Sequence, residues 1–337
     1  MTAHSLPEQS SGSPVYIGVD LGGTNIVAGA VGSGGSLLEK IKQPTRAERG
    51  SAAVLKDIAE MIGALAGKMR SAGLAVAAAG IGCPGFVDPK RGVCAYANNL
   101  GWREIPVADE LSRLSGGLPV FADNDVRMYV YGEAVCGAGA GHGHVLGVTL
   151  GTGMACAFVD NGRLFYGGGC MAGEIGHILM DDIPYRCSCG QTGCLETAVS
   201  ATGIARQAAE KLRAGADSLL RAKLGTDAAE RVTAADVSAG YDEGDALCVE
   251  IMERTGMWLG RALAIACTFY SPDIVVIGGG ASLAGERLLA PARKTMRERL
   301  LPELAARIAV TTAALTDDAG VIGSALFAGR QLQTRGG

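Results

Sequence analysis

Ile17-Gly18-Val19-Asp20-Leu21-Gly22-Gly23-Thr24 and Leu146-Gly147-Val148-Thr149-Leu150-Gly151-Thr152-Gly153 share one pattern. In each, a short β-branched run stops at a Gly-rich turn, and a further apolar stretch follows at once. The first unit closes at Gly32-Ser33-Gly34-Gly35 and the second at Asn161-Gly162. Asn-Gly between apolar runs is the strongest short hairpin signal. Two strand, glycine loop, strand units in one chain predict two similar lobes. Two unrelated hairpins in a Gly-rich chain could share letters, but here the order of elements matches as well.

Working outward, Val54, Ile58, Met61, Ile62, Leu65 and Met69 recur at helical spacing, which predicts an amphipathic helix. Residues 76–82 and 118–122 are expected as buried strands. A long helix is expected over 245–269, with Leu247, Ile251, Trp258, Leu259, Leu263 and Ala266 inward. A strand over 273–277 runs into Gly278-Gly279-Gly280, with a last strand within 307–312 and a last helix around 321–327. The tail, 331–337, is expected to fray. No low-complexity linker separates the lobes, so they should be closely joined.

The chain has 337 residues, 48% of them hydrophobic and 51 of them glycine, far above the usual share of about 7%. Most of the excess falls in short turns after strands. A net charge of −4 offers no electrostatic attraction to nucleic acid or an anionic membrane. No apolar run reaches the ~20 residues of a membrane span. Residues 1–14 lack the apolar core of a secretory signal and are expected to be disordered. The composition reads as a soluble cytoplasmic enzyme.

Glycine lets backbone N–H groups converge on an anion with no Cβ in the way. Gly22, Gly23 and Thr24 with Gly151, Thr152 and Gly153 are therefore candidates for the two sides of a triphosphate clamp, with ATP held between the lobes. Gly278, Gly279 and Gly280 could let an adenine lie against the backbone. No Gly-Lys-Ser/Thr follows any of these loops, so none is a Walker A loop. Asp20 stands before the first loop where the repeat has Thr149, so one lobe alone offers a carboxylate near the phosphates. It suits Mg²⁺, bound directly or through water, although a capping role in the turn is open to it too.

In a reducing compartment the ten cysteines point to metal binding or burial ahead of disulfides. His177, Cys187, Cys189 and Cys194 bring three thiolates and one imidazole into under twenty residues, the ligand set of a closed, structural Zn²⁺ site. Gly176, Gly190 and Gly193 allow the tight turns of such a loop. A disulfide among the three thiols and chance clustering are the alternatives. The other seven cysteines read as small buried hydrophobes.

The stretch from Gly173-Glu174-Ile175-Gly176-His177 to Cys194-Leu195-Glu196 resembles the signature of the ROK family of sugar kinases and sugar-responsive repressors. Asp20-Leu21-Gly22-Gly23-Thr24, Cys83-Pro84-Gly85, Asn99-Leu100-Gly101-Trp102, Asn124-Asp125, Gly132-Glu133 and the Gly278 loop extend the resemblance over nearly the whole chain. It implies a two-lobed actin-like ATPase (ribonuclease H-like) α/β fold, with the zinc loop in the second lobe. The first lobe is expected at 15–121 plus 318–337 and the second at 122–317.

By the same resemblance Asp125 is the catalytic base that takes the sugar hydroxyl's proton, unless it serves only to cap the helix behind it. Asn99, Asn124, Asp125, Glu174, His177 and Glu196 are implied as ligands of the sugar hydroxyls. ATP, Mg²⁺ and structural Zn²⁺ are the implied cofactors, with a homodimer or dimer of dimers as the assembly. Family repressors carry a DNA-binding domain before the first strand, for which 1–14 is too short, so no nucleic-acid partner is expected. Asn99-Leu100-Gly101-Trp102 and Ile81-Gly82-Cys83-Pro84-Gly85 look most like the family's glucokinases. Glucose is the leading acceptor, with another hexose or an N-acetylhexosamine behind it.

Two stretches depart from the family pattern. Met154-Ala155-Cys156-Ala157 stands where further glycines are common, and Val126-Arg127-Met128 where small residues are usual. His142 and His144 are expected in an exposed loop.

Overall fold

The computed structural model describes residues 13–335. The expected disorder of the N-terminal tail therefore lies outside the described residues up to 12, while the Pro14 carbonyl already accepts from Ser33 N at 3.2 Å. The chain forms two compact units. The first runs to Gly141, takes in Gly162–Ala172 and resumes at Ala314; the second holds His142–Asn161 and Gly173–Ala313.

In the first unit β1 (Val15–Leu21), β2 (Asn25–Gly32), β3 (Leu37–Pro44), β4 (Val76–Cys83) and a strand at Val120–Asn124 make one sheet. Three shorter strands, β5 (Phe86–Asp88), β6 (Val93–Ala97) and β7 (Trp102–Ile105), form a separate small sheet that the sequence reading did not anticipate. With Val120–Asn124 as β8, the order of the main sheet is β3-β2-β1-β4-β8. The hairpin is antiparallel, with Leu21 opposite Ile26, and β1, β4 and β8 run parallel. Helix α1 (Ser51–Ser71) buries Val54, Ile58, Met61, Ile62, Leu65 and Met69, so the period of 3.6 lays one apolar stripe on the sheet. Helices α2 (Val107–Leu114) and α3 (Asp125–Cys136) follow β7 and β8.

The C-terminal helix, Ala319–Arg335, returns to this unit. It lies so close to the strands that a Cβ on Gly18 would stand 1.8 Å from the Val321 carbonyl oxygen, and one on Gly80 1.9 Å from that of Ser324. Only glycine permits such backbone approach. The helix also runs to Arg335, so residues 331–335 are not the frayed tail expected; 336 and 337 lie outside the described residues. The boundary expected at 121 falls at Gly141 instead, because β8 hydrogen-bonds to β4 from Ala79↔Val120 to Cys83↔Asn124.

The second unit repeats the plan. Strands β9 (His144–Leu150), β10 (Met154–Asp160), β11 (Ile274–Gly278) and β12 (Ala309–Thr312) lie in the order β10-β9-β11-β12. Again an antiparallel hairpin leads into parallel neighbours. Helix α4 (Ala201–Arg213) is capped by Ser200, whose Oγ accepts from Gly203 N at 3.1 Å. Helix α5 (Ala246–Tyr270) starts at the buried Asp245, which accepts from Cys248 N, Ser218 Oγ and Leu219 N. Its six expected core residues are all buried. Helix α6 (Glu286–Arg299) packs on α5 where a Cβ on Gly260 would stand 2.4 Å from the Ala292 carbonyl. His144 opens β9, half-buried, and only His142 is the exposed loop residue expected. Among the described residues no helix is long and apolar enough to cross a membrane.

Candidate functional site

The loop between β1 and β2 is held from behind. Thr45, fully buried, donates through Oγ1 to the Gly22 carbonyl at 2.6 Å and through its N–H to the Thr24 carbonyl at 2.9 Å. Gly23 and Thr24 face outward. A Cβ on Gly23 would stand 3.2 Å from Asn99 Nδ2, so the fold brings Asn99 beside this loop. Asp20, the last residue but one of β1, lies against the first turn of the C-terminal helix, its Oδ2 2.8 Å from where a Cβ of Gly320 would be. Burial pushes its pKa up to about 6.

At the junction of β8 and α3, Asn124 and Asp125 divide two tasks. Asn124 is the cap: its Oδ1 accepts from Arg127 N at 3.1 Å. Its Nδ2 donates to the Gly85 carbonyl at 3.0 Å and to Asp125 Oδ1 at 2.8 Å. Asp125 is the first helical residue, and its Oδ1 also accepts from Val126 N at 2.9 Å. Asn124 already fills the N-cap position, so Asp125 is not needed there, and its Oδ1 adds an acceptor for one further N–H of the first turn. Burial, then the charge of Asp20, lifts the Asp125 pKa to about 7, against the N–H donors and Arg127 that favour its anion.

Sequence reasoning missed the residue one step before this pair. Asp123 is fully buried, and its Oδ1 accepts from Asn124 N at 2.7 Å and Arg127 Nε at 2.6 Å. Its Oδ2 accepts from Tyr166 Oη at 2.7 Å. Arg127, also buried, donates further to the Cys170 carbonyl at 3.0 Å and the Val87 carbonyl at 3.2 Å. Burial raises the Asp123 pKa, and Arg127 most strongly opposes the rise. The spacing gave little signal: Arg127 stands four residues after Asp123, but Asp123 lies on β8 and Arg127 in α3, so no single helical period relates them.

In the second unit the loops after β9 and β11 leave the sheet side by side, since Gly278 is paired with Thr149. Gly279 needs its φ of 84°, and a Cβ there would meet the Leu150 carbonyl at 2.6 Å. The Gly151 loop is closed by Gly151 N donating to the Gly153 carbonyl at 2.9 Å, and is backed by Ala201 N and Thr202 Oγ1. Met154, Ala155, Cys156 and Ala157 lie in β10, where side chains pack and glycine is not needed. The Cys156 N–H donates to the Gly173 carbonyl at 2.8 Å, which fixes the start of the next loop.

That loop carries the metal-type cluster. The ligand atoms of His177, Cys187, Cys189 and Cys194 all lie within 4.8 Å of one another, with Cys189 and Cys194 Sγ 3.5 Å apart. A tetrahedron with arms of about 2.3 Å has edges of roughly 3.8 Å, so the four donors could close around one zinc ion. All ten cysteines are free thiols. Of the seven outside the cluster, Cys136 and Cys170 are only half-buried, because they sit in loops and helix ends and not in the core. His177 turns Nδ1 to Cys187 Sγ, at 3.9 Å, and Nε2 to Glu174 Oε2, at 3.8 Å. Glu196 Oε1 lies 3.1 Å from Cys187 Sγ, and Oε2 takes a 3.4 Å bond from Met154 N. Glu174, His177 and Glu196 are thus brought together around the cluster.

The sequence model of the ROK family matches residues 16–331. The chain is 38% identical over 310 residues to a glucokinase of Halalkalibacterium halodurans, covering 91% of this chain and 93% of that one. A glucokinase of Thermotoga maritima is 36% identical over 310 residues, 92% and 95% of the two chains. The crystal structure of a ROK family glucokinase from Streptomyces griseus in complex with glucose and AMPPNP is similar at a TM-score of 0.78 and 32% identity, covering 94% of this chain and 99% of that one.

Proposed function

Because the chain belongs to the ROK family, we propose that it is a kinase transferring the γ-phosphoryl group of ATP to a hexose hydroxyl, with glucose to glucose 6-phosphate favoured. The observation that carries this reading is the division of tasks at the head of α3. Asn124 caps the helix, and Asp125 keeps Oδ2 for an incoming hydroxyl. A hydroxyl is a weak nucleophile, and a carboxylate that accepts its proton during attack helps it reach phosphorus. A pKa near 7 suits that task, since it leaves about half of the base ionised at neutral pH and makes the anion strong enough to hold the proton.

Asn99, Asn124, Asp125, Glu174, His177 and Glu196 are the proposed hydroxyl ligands, a mixture of acceptors and amide donors that suits a polyol. The loops at Gly22-Gly23-Thr24 and Gly151-Thr152-Gly153 supply N–H groups for phosphates. A cavity of about 300 Å³, lined by Ile204, Ser238, Gly280, Ala281, Leu283 and Arg287, supports an adenine beside the Gly278 loop. Magnesium bound with ATP supplies charge neutralisation at the phosphates, and Asp20 is the carboxylate available to hold it. Zinc on His177, Cys187, Cys189 and Cys194 is structural: with all four positions filled by protein, it orders the loop that carries Glu174 and Glu196.

The test is ADP release with glucose, mannose, fructose, allose, N-acetylglucosamine and N-acetylmannosamine as acceptors. The reading expects the highest kcat/KM with glucose. A higher value with another sugar moves the substrate, and no release with any of them overturns the kinase reading.

A further inference from the structure

The family pattern has small residues after Asn-Asp, and this chain has Arg127 there. We propose that Arg127 and Tyr166 are positioning residues, which lock the Gly162–Ala172 segment onto the Asn124–Asp125 turn through Asp123 and thereby set the sugar-binding loop. The inference rests on the kinase reading for its functional half only.

Both oxygens of Asp123 and all three nitrogens of Arg127 have a hydrogen-bond partner. Asp123 spends one oxygen on Arg127 and Asn124 and the other on Tyr166. The guanidinium reaches three elements at once: Asp123 on β8, the Val87 carbonyl on β5 and the Cys170 carbonyl in the segment. It also lies over the Tyr166 ring, 5.2 Å from its centroid. A buried charge pair with satisfied partners tolerates no other arrangement, because removing one donor leaves a desolvated acceptor.

Cys170 is independent evidence that the segment is held. Its φ of 59° is a left-handed conformation that costs a non-glycine residue energy and persists only where surroundings impose it. Its carbonyl is the one Arg127 bonds. Four residues on in the chain stands Glu174, a proposed sugar ligand. β5 is tied to the same turn twice, through Val87 to Arg127 and, just before it, through Gly85 to Asn124. Lysine could pair with Asp123 but could not reach two carbonyls in other directions, since its donors radiate from one atom.

The experiment compares full-length wild type with Tyr166→Phe and Arg127→Lys. Amide hydrogen exchange is followed over 167–172, and KM is measured separately for glucose and ATP. Tyr166→Phe is expected to speed exchange in 167–172 at least about tenfold and to raise the glucose KM about tenfold, with the ATP KM within twofold. Arg127→Lys should move the same quantities further. Unchanged exchange in both variants overturns the lock. Faster exchange with an unchanged glucose KM, or with glucose and ATP KM rising together, overturns the positioning role and leaves a stability contact. A wild type that phosphorylates no sugar defeats the kinase reading instead, and exchange alone then decides the lock.

Discussion

Asp125 concentrates two opposed demands on one carboxyl group: burial and Asp20 favour its neutral form, while proton abstraction needs the anion. With a pKa lifted to about 7, its ionised fraction falls as pH drops through that value. The kcat/KM profile for sugar should therefore lose activity on the acid side with a midpoint near 7, measurable from pH 5.5 to 9. Asp125→Asn keeps the shape but cannot take the proton, and turnover should fall by about 10²–10⁴ while the ATP KM changes little. Wild-type turnover in that variant would return Asp125 to a purely structural role. The same shift has a stability consequence of defined sign. A carboxyl whose folded pKa lies above its unfolded value binds its proton more tightly when folded, so its contribution is full at low pH and is lost as pH rises through about 7. Asp20, raised to about 6 by burial, acts in the same direction. The melting temperature of Asp125→Asn should accordingly drop less than that of wild type between pH 5 and 8.

The elements that carry the site differ in how openly the sequence displays them. The two hairpins were legible because each places an unbroken apolar strand against a glycine loop, and their pairing follows from local chain alone. The cysteine loop was legible because four soft ligands stand within twenty residues, and the fold brings their donor atoms within 4.8 Å of one another. Its prediction is one zinc per chain by elemental analysis of protein purified without added metal. Cys189→Ser should lower both the melting temperature and sugar affinity, since metal binding free energy is also loop-ordering free energy. Sub-stoichiometric zinc with a disulfide in the loop would refute it. The Asp123–Arg127–Tyr166 group was not legible, since Tyr166 is 43 residues from Asp123 and no local period relates them. Nor was the reason for Gly18 and Gly80, which lies three hundred and two hundred and forty residues away in the C-terminal helix. Gly80→Ala drives a Cβ to 1.9 Å from the Ser324 carbonyl, and helix and strand must part. A loss of about 1–3 kcal/mol or more is expected in chemical denaturation; a wild-type midpoint would mean the helix shifts freely.

At the scale of the whole chain, the first unit is assembled from three separate stretches, and something must hold the last of them as it arrives. Glu133 does so. Fully buried near the end of α3, it accepts from Ala138 N at 2.9 Å, Ala314 N at 3.0 Å and Leu315 N at 2.7 Å. Two of these donors belong to the stretch that resumes at Ala314, more than 180 residues on in sequence. From there the chain enters the C-terminal helix, whose first turn lies against Asp20. The carboxylate thus fixes both the path of the returning chain and, one element later, the wall beside a proposed magnesium ligand. Glu133→Ala leaves three backbone N–H groups without their acceptor, each costing about 1–3 kcal/mol if it stays dry. Water can enter the space vacated by the side chain, so the expected loss is roughly 3 kcal/mol in chemical denaturation. Glu133→Gln keeps one acceptor oxygen and sets an amide group against the remaining N–H donors. It should therefore fall between wild type and Glu133→Ala if one N–H remains satisfied. In both variants zinc content should match that of wild type, because the cysteine cluster belongs to the other unit. Wild-type stability in Glu133→Ala would show that helix packing alone holds the returning chain.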